Sequence, residues 1–340
     1  MRRIIIFSVS LSLLLSSCGT KKTGITVTAV RPITVGYWPS WKSDFSPQWD
    51  KITHLNIAFG TVKADGTLNA SALDRFKEAI SQAHDHDVKV LLSVGGGASK
   101  YFTDALLDEE KRTGLVTALM QSVRDYRLDG IDLDYEEWTG GPGGMDQTDI
   151  PKRDALELLY KALRDSLGTG KLLTAAVSGS YDHGGWGFYN CYNNSMLEYL
   201  DYVCIMIYDM TGPWSGTNVG LHSSWSFFEK AIYHWLNNRK LPREKLVAGV
   251  PFYGYRFLSS NDAKGAKSIA FKDIVSETSG TDTYKKDSFD LTFYDGVETM
   301  ARKAKYVKEK GLGGIMIWEL SHDTDDPDKS LLNVIFENLK

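Results

Sequence analysis

From residue 33 to the C-terminus, short β-rich apolar runs alternate with longer stretches in which apolar residues return every three or four positions. The runs are ITVGYW (from Ile33), HLNIAFG (His54), VKVLLSVGG (Val88), GIDLDY (Gly130), LLTAAVSG (Leu172), YVCIMIY (Tyr202), KLVAGVPFYG (Lys245) and GGIMIWEL (Gly313). Between them Leu115, Leu119, Val123 and Tyr126 share one helical face, as do Leu156, Leu159, Tyr160, Leu163 and Leu167 ahead of a stop at Gly168. Strands alternating with helices argue for parallel strands joined by helical crossovers, and eight such units predict an α/β fold, the (β/α)8 TIM barrel. An open doubly wound sheet is the alternative. Its first strand is usually followed by a glycine-rich phosphate loop, and VGYWPSWKSD contains none. Residues 256–293 make a long polar connection between the seventh and eighth strands, which predicts a short excursion with no independent core.

The first thirty residues break this rhythm. Arg2 and Arg3 precede a twelve-residue apolar run, Ile4 to Leu15, with small residues and Cys18 after it. That order has the form of a secretory signal, and the run is too short for a permanent transmembrane helix. LSSC, Leu15 to Cys18, resembles the cleavage box of bacterial lipoproteins, and the resemblance implies that Cys18 is diacylated and becomes the N-terminus. The expected organisation is a lipoprotein signal peptide over 1–18, a linker over 19–30 and the catalytic barrel over 31–340. The expected location is outside the cytoplasm, lipid-anchored to a bacterial membrane on its periplasmic or cell-surface side. Secretory cleavage without lipid is the alternative.

Composition is that of an ordinary globular protein, with 42% apolar and 24% charged residues among 340, enough for one large core. Lys and Arg total 39 against 43 for Asp and Glu, and a net charge of −4 offers no basic surface to hold a phosphate backbone, so no nucleic-acid partner is expected. Nine Trp and seventeen Tyr suit the apolar faces of sugars as well as they suit cores. Beyond Cys18 only Cys191 and Cys204 remain, the latter inside YVCIMIY, where a buried thiol is the plain expectation. No Cys-x-x-Cys occurs, and His84 and His86 in HDHD read as a solvated helix end, so neither a metal nor a cofactor is expected.

One strand carries chemistry. In DGIDLDYEEW, Asp132, Asp134 and Glu136 stand at alternate positions, on one face and about 6.6 Å apart along the strand. In a barrel that face points inward, with Glu136 nearest the C-terminal mouth where barrel active sites form. Two charges at that spacing repel by about 2.5 kcal/mol at an effective dielectric near 20, so the row is expected to hold a proton near neutral pH. A carboxyl kept protonated is a general acid in waiting, while a structural or hard-cation role for the row is the alternative.

DGIDLDYE resembles the Asp-x-x-Asp-x-Asp-x-Glu signature of the family 18 glycoside hydrolases, the chitinases and their relatives. SVGG (Ser93 to Gly96), MIYD (Met206 to Asp209) and IWEL (Ile317 to Leu320), each at its proper strand, extend the resemblance. It implies a retaining glycosidase that cleaves β-1,4-linked N-acetylglucosamine polymers, the substrate's own acetamido group attacking to give an oxazolinium ion. Glu136 would then be the acid and base, Asp134 would orient the acetamido N–H, Asp132 would share a proton with Asp134, and Tyr208 would hold the acetamido oxygen. Trp318 would floor the −1 subsite. Gly96, of the SVGG motif, falls among the binding residues, Tyr37, Phe59, Met206, Asp209 and Tyr253 would line the pocket, and Trp214 would stack on the leaving side. Asp129 reads as structural.

Two departures touch the substrate-selecting rim. Gly97 and Ala98 stand where many relatives carry Trp after the third-strand motif, and Glu137-Trp138 stands where Tyr-Pro is frequent, which suggests Trp138 as a replacement platform. The large α+β insertion of deep-groove chitinases is also absent, and a shallower cleft is expected. Two other functions fit the same resemblance: an endo-β-N-acetylglucosaminidase acting on N-glycan cores, and an inactive sugar-binding surface protein.

Overall fold

The computed structural model describes residues 32–42, 45–140, 145–180, 188 and 191–340. Contacts divide the chain into Met1–Val30 and Arg31–Lys340. The first unit, with Cys18, the expected signal peptide and the linker, lies outside the described residues. Among the described residues no helix is long and apolar enough to cross a membrane.

Eight parallel strands close on themselves. They are β1 (Ile33–Pro39), β2 (His54–Val62), β3 (Lys89–Gly95), β4 (Gly130–Asp134), β5 (Leu172–Ser178), β6 (Tyr202–Met206), β7 (Leu246–Pro251) and β8 (Gly314–Trp318). Each pairs with its sequence neighbour, and β8 returns to β1 with Ile33 opposite Gly314. The α/β barrel expected from the alternation is the observed fold.

The helices cover the outside with the faces the sequence marked. Helix Glu109–Asp125 buries Leu115, Leu119 and Val123, and Asp108 caps its start by accepting from the Lys111 N–H. Helix Asp149–Leu167 buries Leu156, Leu159, Tyr160, Leu163 and Leu167, and ends at Gly168 with φ +62°. Full burial of each such side chain contributes about 1.5–3 kcal/mol. Ile131, Leu133 and Tyr135 of β4 and its continuation join this outer core. Inside the barrel a separate cluster gathers Val35, Tyr37, Ala58, Ala176, Tyr202, Cys204, Val247 and Met316.

The excursion differs from expectation. It begins at Tyr253 rather than 256, because KLVAGVPFYG is two elements: β7, and a strand Tyr253–Arg256 that leaves the barrel. That strand pairs antiparallel with Lys267–Ala270 and with Thr292–Phe293, and helix Phe271–Glu277 follows the second of these strands. Tyr253, Tyr255, Phe257, Ala263 and Ala266 are buried together, with Tyr208 and Trp318 packed against them. Its small core leans on aromatic residues of the barrel mouth, so the segment has no independent core, as expected.

The two glycines of SVGG mould the mouth at the end of β3. Gly95 and Gly96 have φ of +118° and +83°, a region that side-chain-bearing residues avoid. A Cβ on Gly95 would stand 2.0 Å from the Asp134 carbonyl oxygen, and one on Gly96 would stand 2.5 Å from the Phe59 ring. The Gly96 N–H donates to that same carbonyl at 2.8 Å, tying β3 to the strand of the acids.

Candidate active site

The acid row points into the barrel. Asp132 is fully buried, its Oδ2 accepting from Tyr37 (2.7 Å) on β1 and Ser93 (2.8 Å) on β3, its Oδ1 from Thr174 (2.6 Å) on β5. Asp134, 4% exposed, stands one step nearer the mouth, and its Oδ1 is buried with no hydrogen-bond partner among the described residues. Glu136 follows just beyond the strand. A proton shared by Asp132 and Asp134 was expected; the hydrogen bonds observed at Asp132 are to the three hydroxyls.

Above the row opens a cleft of about 1090 Å³, within whose wall fall Tyr37, Phe59, Asp134, Glu136, Met206, Tyr208, Asp209, Trp214 and Trp318. Trp318, at the end of β8, stacks on Phe59 with centroids 5.6 Å apart and planes 20° from parallel, and meets Tyr37 edge-on at 5.7 Å. Cis peptide bonds join Ala58 to Phe59 and Trp318 to Glu319. Among the described residues the Tyr208 hydroxyl has only the Met316 sulfur, 3.8 Å away, as acceptor, and a thioether is a weak one. Trp214 is 59% exposed at the rim, its ring edge-on to Tyr255.

Three residues assigned to the site stand behind the cleft wall. Asp132 is beneath Asp134, and Gly96 is beneath Phe59. Tyr253, expected to line the pocket, is buried instead, because its hydroxyl donates to Asp209 Oδ1 at 2.5 Å and its ring packs edge-on against Tyr255. Tyr255 donates to the same oxygen at 3.1 Å, and His222 Nδ1 lies 3.3 Å from it. Asp209 itself has φ +64°.

Burial dominates the electrostatics. It leads the forces that raise the Glu136 carboxyl to about 7, followed by the charge of Asp209, while the Gly97 backbone N–H pulls the other way. Asp134 is raised well above the usual carboxylate range, by burial first and then by Glu136 and Asp132. Asp132 is raised by burial, and the hydroxyls of Thr174, Tyr37 and Ser93 offset part of the effect. Repulsion within the row was expected to hold the proton. Desolvation is the larger cause, and the neighbour that most affects Glu136 is Asp209, from the end of β6. Among the described residues no three His, Cys, Asp or Glu side chains converge as ligands for a metal ion.

The arrangement is a carboxyl whose pKa burial raises to about 7 beside a second, buried carboxyl in an aromatic-walled cleft. Such a pair can deliver a proton to a leaving oxygen and balance a developing positive charge. Residues 33–323 match the glycosyl hydrolases family 18. The chain belongs to that family.

Family 18 membership makes it a glycosidase. A chitinase from Bacteroides thetaiotaomicron shares its fold at a TM-score of 0.79 and 29% identity, over 91% of this chain and 97% of that one. The family 18 chitinase ChiB of Flavobacterium johnsoniae gives 0.74 and 30%, over 91% and 94%. A chitinase-like effector of Moniliophthora roreri is 31% identical over 273 residues, 73% of this chain but 64% of that protein.

Three side chains that touch the cleft's lining were not among the expected site residues. Trp41 is 60% exposed with its ring 6.3 Å from Phe59. Its signal was the aromatic run YWPSW at the end of β1. Tyr255 reaches Asp209 from 46 residues on and His222 from 13 residues on, and nothing local marks either. Trp138 needs a correction. It is 8% exposed, its indole N–H donates to the Tyr192 hydroxyl at 3.1 Å, and its ring is held edge-on by Tyr135 and Tyr192, so it is a packed wall rather than an open platform. His84, expected in solvent, lies 2.9 Å from Asp129, whose carboxylate also accepts from the Val90 N–H. Asp129 thus joins β3 to β4 away from the cleft.

Proposed function

We propose that this family 18 glycosidase hydrolyses β-1,4-linked N-acetylglucosamine polymers, chitin or chitooligosaccharides, with retention and with the substrate's acetamido carbonyl as nucleophile. The observation that carries the reading is Asp134 Oδ1, a buried acceptor without a donor among the described residues, in the wall of a sugar-sized cleft beside Glu136. An amide N–H on the sugar would satisfy it, and a buried polar atom left unpaired costs about 1–3 kcal/mol. The chitinase names of similar proteins agree with this substrate class.

In the first step the Glu136 proton passes to the glycosidic oxygen as the C1–O bond breaks, while the acetamido oxygen bonds to C1 from the opposite face. Asp134 accepts the amide N–H and offsets the positive charge of the oxazolinium. Tyr208, whose hydroxyl has a weak sulfur acceptor in Met316, donates to the acetamido oxygen and keeps it in line. In the second step ionised Glu136 takes a proton from water as that water attacks C1, the oxazolinium opens and the anomer is retained. Trp318, backed by Phe59 and Tyr37, offers the apolar ring face a stacking surface, and Trp41 and Trp214 do so nearer the rim.

Purified protein given a chitin hexamer is expected to release chitobiose-sized products whose new reducing ends are first the β-anomer. Release of glycans from glycoproteins without cleavage of the hexamer would make it an endo-β-N-acetylglucosaminidase. Binding of the hexamer with no release would make it a sugar-binding surface protein.

We also propose export and lipid anchoring at Cys18, on the strength of the LSSC box and the preceding apolar run. Intact-mass measurement of detergent-extracted protein should find a chain starting at Cys18 and carrying acyl groups. An unmodified N-terminus would remove this assignment.

A further inference from the structure

Glu137 follows the acid but faces the other way. Its Oε1 accepts from the Ser99 hydroxyl at 2.7 Å and from the Phe102 N–H at 3.0 Å, and its Oε2 accepts from the Thr103 N–H at 2.8 Å. All three donors belong to the connection that leaves β3 and opens helix Phe102–Leu107. That connection begins with Gly97, where a Cβ would stand 3.4 Å from Glu136 Oε1. A turn closed by the Ser99 N–H on the Gly96 carbonyl, at 2.9 Å, joins the two contacts. A second tie runs from the Thr103 hydroxyl to the Tyr135 hydroxyl at 2.7 Å. On its own side, Glu137 is held through its carbonyl by Lys152, which also bonds the fully buried Asp149.

We propose that Glu137 is a positioning residue, a latch that holds the 97–103 connection against the end of β4 and so keeps Gly97 packed against the Glu136 carboxyl. The proposal rests on Glu136 being the acid of the reading above. Glu137 touches neither substrate nor reacting atoms. It acts because a charged acceptor with three donors fixes the loop beside Glu136, and small misplacements near a reacting group are costly in rate.

The sign follows from the donor. The Gly97 N–H beside the carboxyl favours its ionised form, so moving it away raises the Glu136 pKa further. The other titratable groups facing Glu136 are Asp209 and Tyr208 from beyond the end of β6 and Asp134 from β4, and the carboxylate charges push the same way. They stay in place when Glu137 changes.

Glu137→Ala in the whole protein is expected to move the basic limb of kcat/KM upward in pH and to lower kcat by about tenfold, with KM for a chitooligosaccharide changed less than about twofold. Glu137→Gln keeps a neutral acceptor for Ser99 and Phe102 and should recover most of the rate and the limb. Ser99→Ala, which leaves the other two bonds, should shift the limb less but in the same direction. Amide hydrogen exchange gives a readout that needs no turnover: in Glu137→Ala, exchange should quicken at Gly97 as well as at Phe102 and Thr103. An unmoved limb, or faster exchange confined to Phe102 and Thr103, would overturn the latch. Neither result touches the assignment of the acid, which is judged by Glu136→Gln on the same substrate.

Discussion

Glu136→Gln is expected to lower kcat on chitooligosaccharides by about 10²–10⁴, the usual worth of a positioned proton donor, while KM stays within a few-fold. Gln fills the same space and can still accept from the Gly97 N–H, so the cleft should keep its shape. What it lacks is the proton for the leaving oxygen and the base for the incoming water, and both halves of the reaction should slow. Wild-type pH dependence supplies the second arm. The acid works in its protonated form, and an ordinary glutamic acid, near 4.5, would have lost that proton well below neutrality. Raised to about 7 by burial and by Asp209, it keeps the proton to near-neutral pH and loses it above. The basic limb of kcat/KM should therefore fall near pH 7 and decline about tenfold per unit beyond it. A variant retaining more than about a tenth of wild-type kcat, or a limb near 4.5, would remove Glu136 from the role.

The barrel was legible because its signal is local and repeated: each strand announces itself by a run of apolar residues and each helix by a 3.6-residue stripe. The inward row was legible for the same reason, since the side chains of a strand alternate and Ile131 and Leu133 plainly belong to the outer core. Local patterns failed where one run served two purposes. After Lys245, KLVAGVPFYG is almost entirely apolar although Val250 packs against the helical layer and Tyr253 in the excursion, and only pairing with Lys267–Ala270 separates them. Cross-chain chemistry was not legible at all. Asp209 was marked as a pocket residue, but that it sits close enough to raise Glu136, and is itself held by Tyr253 and Tyr255, depends on the closure of the sheet. Trp138 was misread as a platform because its position beside the acid says nothing about which neighbours enclose its ring.

Lys303 is the sharpest case of that blindness, and it carries the largest expected effect on stability. In VETMARKAKYVKEKG it looks like its neighbours Lys305, Lys308 and Lys310, yet its side chain is fully buried. Its ammonium meets Asp295 at 2.7 Å, the Ser223 hydroxyl at 2.7 Å and the Ser223 carbonyl at 2.5 Å, and the Asp295 side chain is 1% exposed. Lysine is almost never so buried unless paired. Lys303→Ala removes one charge and strands the other in a low-dielectric interior, so it should cost about 3–5 kcal/mol in chemical unfolding. Removing both charges at once, as Lys303→Met with Asp295→Leu, leaves no stranded ion and should be less destabilising than either single change. The site should feel the single change too. The Ser223 hydroxyl donates to the Ile207 carbonyl at 2.6 Å, one residue before Tyr208, so loosening Ser223 loosens the hydroxyl proposed to orient the acetamido group. Well below its unfolding transition, Lys303→Ala should therefore show a lowered kcat that the double variant does not restore, because Met offers Ser223 no donor. A loss under about 1 kcal/mol for Lys303→Ala would mean that the cavity admits water to solvate Asp295, and the buried pair would not be the structural tie described.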